Sequence, residues 1–232
     1  MIRGLRMLKA ALRASRLLNR EQLSKLLLIS IVLFYVLPAL SESREIGRIA
    51  LILNLYVTLV AATMQLAGKP AIFWGAIPIA GASMVLIAVS HFYPTPYLLI
   101  ANGVALTAFL TLVSISLFIH LGENGQITTG RISVSVSLYF LLGMSWFSIY
   151  NLLNIIEPGS FAENGVALPP NTPWSTMLYF SLTSLTTLGY GDMVPVKPAA
   201  RMFATLEAAA GVLYVAITIA RLVASRQTEK LS

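Results

Sequence analysis

An all-α membrane protein is the fold class this sequence predicts, and three observations carry the prediction. Of 232 residues, 57% are hydrophobic and only 11% charged, and the mean hydropathy of +0.79 lies well outside the range of soluble domains. Six apolar stretches occupy residues 25–40, 50–67, 71–90, 97–121, 132–156 and 200–223, most of them close to the ~20 residues that a helix needs to cross a hydrocarbon core. The bases are unevenly placed: Arg3, Arg6, Lys9, Arg13, Arg16, Arg20 and Lys25 all stand before or at the start of the first stretch. The formal net charge of +7 is therefore a membrane signal, and no nucleic-acid partner is expected.

Excess Lys and Arg mark the cytoplasmic side, which puts the N-terminus inside. Counting six spans from there places Lys69, Arg131, Arg221, Arg226 and Lys230 at or beyond the inner face, with both termini cytoplasmic. Arg44, Arg48, Lys197 and Arg201 fall outside. The loop Ser41-Glu42-Ser43-Arg44-Glu45-Ile46-Gly47-Arg48 runs against the rule, its two bases balanced by two acids. Residues 1–41 also fit a cleaved signal peptide with Ala39-Leu40-Ser41 as its small-residue site.

Within residues 1–22, bases at 6, 9, 13, 16 and 20 form a helical stripe beside Leu5, Leu8 and Leu12. A helix lying on anionic lipid and a solvated basic leader both fit that pattern. Residues 23–121 hold four spans. The second and third are joined by only Gly68-Lys69-Pro70, which predicts an antiparallel, tightly packed hairpin. His91-Phe92-Tyr93-Pro94-Thr95-Pro96 breaks the chain on the outer side, where aromatics suit the headgroup layer. Residues 122–131, rich in Gly, Asn and Thr, read as an irregular cytoplasmic linker, residues 132–224 as a second unit, and 225–232 as a short cytoplasmic tail.

Between the last two spans the sequence runs Trp174-Ser175-Thr176-Met177-Leu178-Tyr179-Phe180-Ser181-Leu182-Thr183-Ser184-Leu185-Thr186-Thr187-Leu188-Gly189-Tyr190-Gly191-Asp192. Thr172 can cap and Pro173 can occupy the first turn, so a helix from Trp174 to about Thr186 is predicted. At about 12 residues it reaches only ~18 Å and must be re-entrant. Non-helical backbone at membrane depth survives only where protein buries it or where it lines a wet cavity.

Thr187-Leu188-Gly189-Tyr190-Gly191-Asp192 resembles the filter signature of the pore-loop potassium channels, and residues 132–223 more loosely resemble the pore module of bacterial six-span members with one filter per chain. The resemblance implies a helix, re-entrant pore helix and filter, helix module behind the four-helix N-terminal unit. It implies passive, potassium-selective conduction, with K+ as cargo and no cofactor. Carbonyls of Thr187, Leu188, Gly189 and Tyr190 and the Thr187 hydroxyl would form stacked ion sites, with Gly189 and Gly191 supplying the conformational freedom that aims carbonyls one way. One chain supplies a quarter of each ring, so a homotetramer is implied, with Tyr179 and Trp174 near subunit boundaries. Thr183 stands where some relatives carry Glu and Tyr179-Phe180 where some carry paired Trp, which leaves the hydrogen bonding around Asp192, Thr183, Thr186 and Tyr179 open. The implied location is the cell membrane, a bacterial inner membrane.

The short helix would aim the negative end of its dipole at the cavity below. Glu157, Glu163 and Asp192 would gather cations at the outer mouth, although loop solubility explains the two glutamates equally well. In the last span Gly211 serves either as a hinge, which the resemblance implies, or for close packing. Val212, Val215 and Ile219 follow at helical spacing as cavity lining. Glu207 is the one acid inside a span; such a residue is a functional candidate, and a hydrogen bond within the bundle is the plainer role. His91 and His120 sit at span ends and form no metal site, and the absence of Cys removes thiolate ligands, thiol nucleophiles and disulfides.

Residues 97–121 contain no Arg or Lys, whereas steep voltage gating needs several charges per subunit. Strong voltage gating is therefore not expected. Two rivals stand beside the channel reading: a non-conducting scaffold or sensory subunit with a pore fold, and a nonselective cation channel. No constellation of acid, His and nucleophile suggests an enzyme.

Overall fold

The computed structural model describes residues 20–40, 44–93, 95–122 and 128–231. Among the described residues seven α-helices run in chain order as α1 (Arg20–Leu40), α2 (Arg44–Gln65), α3 (Pro70–Phe92), α4 (Pro96–Gly122), α5 (Thr129–Ile156), α6 (Trp174–Leu185) and α7 (Pro198–Leu231). Each of the six apolar stretches falls on one of them. Four carry segments long and apolar enough to cross a membrane, namely Pro70–Phe92, Pro96–Gly122, Thr129–Ile156 and Pro198–Arg221. α2 holds a shorter apolar run, Ile49–Gln65. The chain is an all-α membrane protein. Most of the basic N-terminal segment, part of the loop at 41–48 and half of the linker at 122–131 lie outside the described residues.

The chain packs as two compact units, one of residues up to 78 with 115–138 and one of 79–114 with 139–232. In the first, Leu23, Leu27, Ile31 and Phe34 of α1 and Leu55, Leu59 and Ala62 of α2 are buried at helical spacing. Ser24, Ser30, Thr58 and Ala61 are buried beside them, and such small residues let backbones approach closely. Asn54 donates to the Ser30 carbonyl at 2.9 Å and Gln65 to Ser24 Oγ at 3.4 Å, which fixes the pair as antiparallel. The close hairpin is thus α1 with α2. The turn at Gly68-Lys69-Pro70 is as short as expected, with a 3-10 segment at Leu66–Gly68 and α3 starting on Pro70.

In the second unit α4 meets α5 through Thr107 and Ser148, whose hydroxyls lie 2.8 Å apart. The segments on either side of α6 form a small antiparallel sheet, ordered β2-β1-β3, with β1 (Phe161–Glu163) and β2 (Val166–Ala167) before that helix and β3 (Met193–Pro195) after it. Asn164 and Gly165, at φ 50° and 82°, make the two-residue turn joining β1 to β2. Tyr150, Phe161 and Phe180 form a mutual aromatic cluster with centroids 5.1–5.4 Å apart. This cluster binds α5, the sheet and α6 together.

Candidate pore loop

The short helix α6 starts on Trp174 and ends at Leu185, one residue before the expected end, with Thr186 as its C-cap. Its N-terminus corrects one expectation. Thr172 does not cap it, because the Thr172 hydroxyl donates back to the Pro169 carbonyl at 2.6 Å, and Pro173 occupies the cap position with no side-chain bond.

Beyond the helix the backbone alternates. Thr187, Gly189 and Gly191 have φ of 58°, 50° and 82°, and Leu188 and Tyr190 between them do not enter the positive range. Two of the three left-handed positions are glycine, which carries no Cβ to clash there. Thr187 is β-branched, so its conformation is strained. The amides of Leu188 and Gly189 both donate to the Thr183 carbonyl, at 2.9 and 3.2 Å, and Thr187 N donates to Ser184 O at 2.9 Å. Three successive N–H groups are thereby turned back onto the helix end. The Thr187 hydroxyl donates to Thr186 O at 2.6 Å. Leu188 and Tyr190 are exposed on the single chain.

Asp192 is held from two sides. Tyr179 Oη donates to its Oδ2 at 2.7 Å and Met193 N to its Oδ1 at 2.9 Å. The Tyr179 bond, and to a lesser degree the amide bond, hold the Asp192 carboxyl below the usual range against a weaker opposing effect of partial desolvation. The neighbouring Thr183 hydroxyl does not take part, donating instead to Phe180 O at 3.0 Å, and Thr186 bonds back to Leu182 O at 2.7 Å. The sheet ties down the loop exit, with Asn164 N donating to Asp192 O at 2.7 Å and Glu163 paired with Met193. Of the acids expected at the outer side, Glu157 faces Lys197 at 3.5 Å, so its charge is partly offset.

On α7 the buried positions Glu207, Gly211 and Tyr214 recur at helical spacing, while Val212, Val215 and Ile219 are exposed on the single chain. Gly211 meets the end of α6: a Cβ built there would lie 2.0 Å from the Leu185 carbonyl oxygen. The same oxygen accepts a 3.3 Å bond from Tyr139 Oη of α5. Four residues earlier, Glu207 is fully buried. Its Oε2 lies 2.5 Å from Tyr150 Oη and its Oε1 2.6 Å from Ser181 Oγ, which is also 2.7 Å from the Gly143 carbonyl oxygen. Ser181, Tyr150 and Tyr139 have no motif in the sequence that marks them. An open hollow of about 560 Å³ lies beside the loop, lined by Thr183, Thr187, Gly189, Arg201 and Thr205 among others. Among the described residues no group of three or more His, Cys, Asp and Glu could hold a metal ion.

Residues 136–225 match the ion channel family. The chain is also 30% identical over 82 residues to the A-type voltage-gated potassium channel KCND3 of Homo sapiens, Rattus norvegicus and Oryctolagus cuniculus. Those residues are 35% of this chain and 12% of each relative, so the match covers a small part of their length. No solved structure matches the chain. The helix, short helix, alternating loop and helix occupy the matched residues, and the segment 136–225 is what this chain shares with the ion channel family.

Proposed function

We propose that this chain is one subunit of a homotetrameric, potassium-selective channel that passes K+ down its gradient. One observation carries the reading: left-handed φ at Thr187, Gly189 and Gly191, every second residue. Alternation of this kind lets successive carbonyls face one side, and rings of carbonyl oxygens replace the hydration shell of a potassium ion. The cargo would meet carbonyls of Thr187, Leu188, Gly189 and Tyr190, with the Thr187 hydroxyl at the inner end. The KCND3 relatives are potassium channels by name, which supports the same ion.

Fourfold assembly follows from the chemistry, since one loop supplies one side of a ring. The exposed Leu188, Tyr190, Met202, Leu206 and Val212 and the hollow beside the loop give neighbouring copies apolar surface to cover. Asp192, Glu163 and the α6 dipole add a negative potential along the path. The six-span topology with both termini cytoplasmic belongs to this reading. Flux from proteoliposomes under a potassium gradient, repeated with sodium, tests it beside the particle mass in mild detergent. Potassium flux well above sodium flux from a tetramer is expected; a monomer, or vesicles no leakier than empty ones, would overturn it.

A further inference from the structure

We infer that Glu207 is carried as the neutral acid, donating its proton to Ser181, and that this proton locks the pore helix to both flanking helices. Three short oxygen–oxygen contacts form one chain. Gly143 O to Ser181 Oγ is 2.7 Å, Ser181 Oγ to Glu207 Oε1 is 2.6 Å, and Glu207 Oε2 to Tyr150 Oη is 2.5 Å. Each is a full-strength O–H···O distance, and three such bonds made at once need three hydrogens. Ser181 and Tyr150 bring one each. The Gly143 carbonyl brings none and takes the Ser181 proton, so the contact between Ser181 and Glu207 is complete only when the carboxyl supplies the third.

The surroundings fit a neutral group. Glu207, Ser181 and Tyr150 are all fully buried, where an unpaired charge is costly and neutralisation is the usual response. The ionisable side chains facing Glu207 come from α5 alone, Tyr150 in contact and Tyr139 farther off. α6 presents the Ser181 hydroxyl, and its own Tyr179 is turned to Asp192. On α7 the nearest base in sequence is Arg201, which bonds Pro195 O at 3.3 Å. Among the described residues no base pairs with Glu207.

The bridge spans three elements. Gly143 and Tyr150 stand on α5, Ser181 is four residues before the end of α6, and Glu207 is one turn before Gly211, which touches Leu185. Loss of the proton leaves Ser181 one hydrogen for two acceptors and places a charge behind the pore helix. Glu207 is thus a positioning residue: it touches no ion, and it fixes the helix whose last carbonyls hold the Leu188 and Gly189 amides.

The role in conduction rests on the channel reading, and the protonation state does not. The full-length parent and Glu207→Gln, reconstituted in liposomes, are compared by infrared spectroscopy and by potassium flux across a pH series. Gln keeps a donor toward Ser181 and an acceptor toward Tyr150. The parent should show a protonated-carboxyl C=O band at neutral pH that is missing from Glu207→Gln, and should lose that band and its flux together as pH rises. Glu207→Gln should conduct like the parent at neutral pH and hold its flux at alkaline pH. Glu207→Ala, leaving two buried hydroxyls short of a partner, should lose flux roughly tenfold or more. No band difference between parent and Glu207→Gln at neutral pH would overturn the inference. So would a Glu207→Gln protein as alkali-sensitive as the parent, or as impaired as Glu207→Ala. A parent that passes no potassium sinks the channel reading alone and leaves the infrared result standing.

Discussion

Tyr179 reaches across from α6 and donates its phenolic hydrogen to Asp192 at 2.7 Å, joining the pore helix to the residue that closes the loop. That bond also favours the charged form of Asp192, because a hydrogen bond donated to a carboxylate favours the ionised form.

The first prediction follows from the sign of that effect. The folded-state carboxyl of Asp192 lies below its usual value, so its contribution is complete above the unfolded pKa, about 3.9 for an aspartate, and is lost as pH falls through the lower folded value. Tyr179→Phe removes the leading cause. Acid inhibition of potassium flux should then begin at a higher external pH than in the parent, with Asp192→Asn insensitive over the same range. Flux profiles that coincide for parent and Tyr179→Phe would show that the bond does not set the charge.

Gly211 separates two roles by measurement. A Cβ there would lie 2.0 Å from the backbone oxygen of Leu185, a contact that no side-chain rotation relieves. Overpacking costs typically about 1–3 kcal/mol, and Gly211→Ala should lower the unfolding temperature of the assembled protein as well as its flux. A hinge role alone predicts normal stability and altered opening. Thermal unfolding in detergent beside flux tells them apart.

The extent of α6 was legible because its signals are local: Pro173 at the start, an apolar run, and glycines where the chain must turn. The left-handed backbone at Gly189 and Gly191 was legible for the same reason. Thr187 at φ 58° was not, since nothing in a β-branched residue announces strain. The Thr172 cap failed because its hydroxyl has a nearer acceptor in Pro169 O, a competition that sequence does not rank. The β1–β2 hairpin did carry a signal in Asn164-Gly165, but strands of two and three residues show no periodicity. The partners of Glu207 lie 26 and 57 residues away in sequence, and only folding brings them together.

Voltage should act weakly. Residues 97–121, nearly all of α4, hold no Arg or Lys, and each charge moved through the field is worth about 2.3 kcal/mol per 100 mV. Open probability should change only shallowly between negative and positive potentials, apart from the effect of ions moving within the loop. Planar-bilayer recording of the purified protein checks this, and a steep activation curve would mean that gating charge resides elsewhere.

The loop itself gives an ordered series. Gly189→Ala meets no steric obstacle within the chain, since nothing lies within 4 Å of the added Cβ, so its penalty isolates the backbone. At φ 50° a side chain costs roughly 1–2 kcal/mol per residue, and in the proposed tetramer four chains would bear it around one ring. Selective flux should be abolished. Leu188→Val keeps the carbonyl and a residue of negative φ, and should conduct nearly as the parent does. Thr187→Ala falls between: it deletes the hydroxyl that bonds Thr186 O while sparing the stacked carbonyls, and an alanine at φ 58° is less hindered than a β-branched residue. Potassium flux in liposomes for the three variants and the parent gives the order Leu188→Val, Thr187→Ala, Gly189→Ala from most to least active. An unaffected Gly189→Ala would mean that ions do not pass through a ring of these carbonyls.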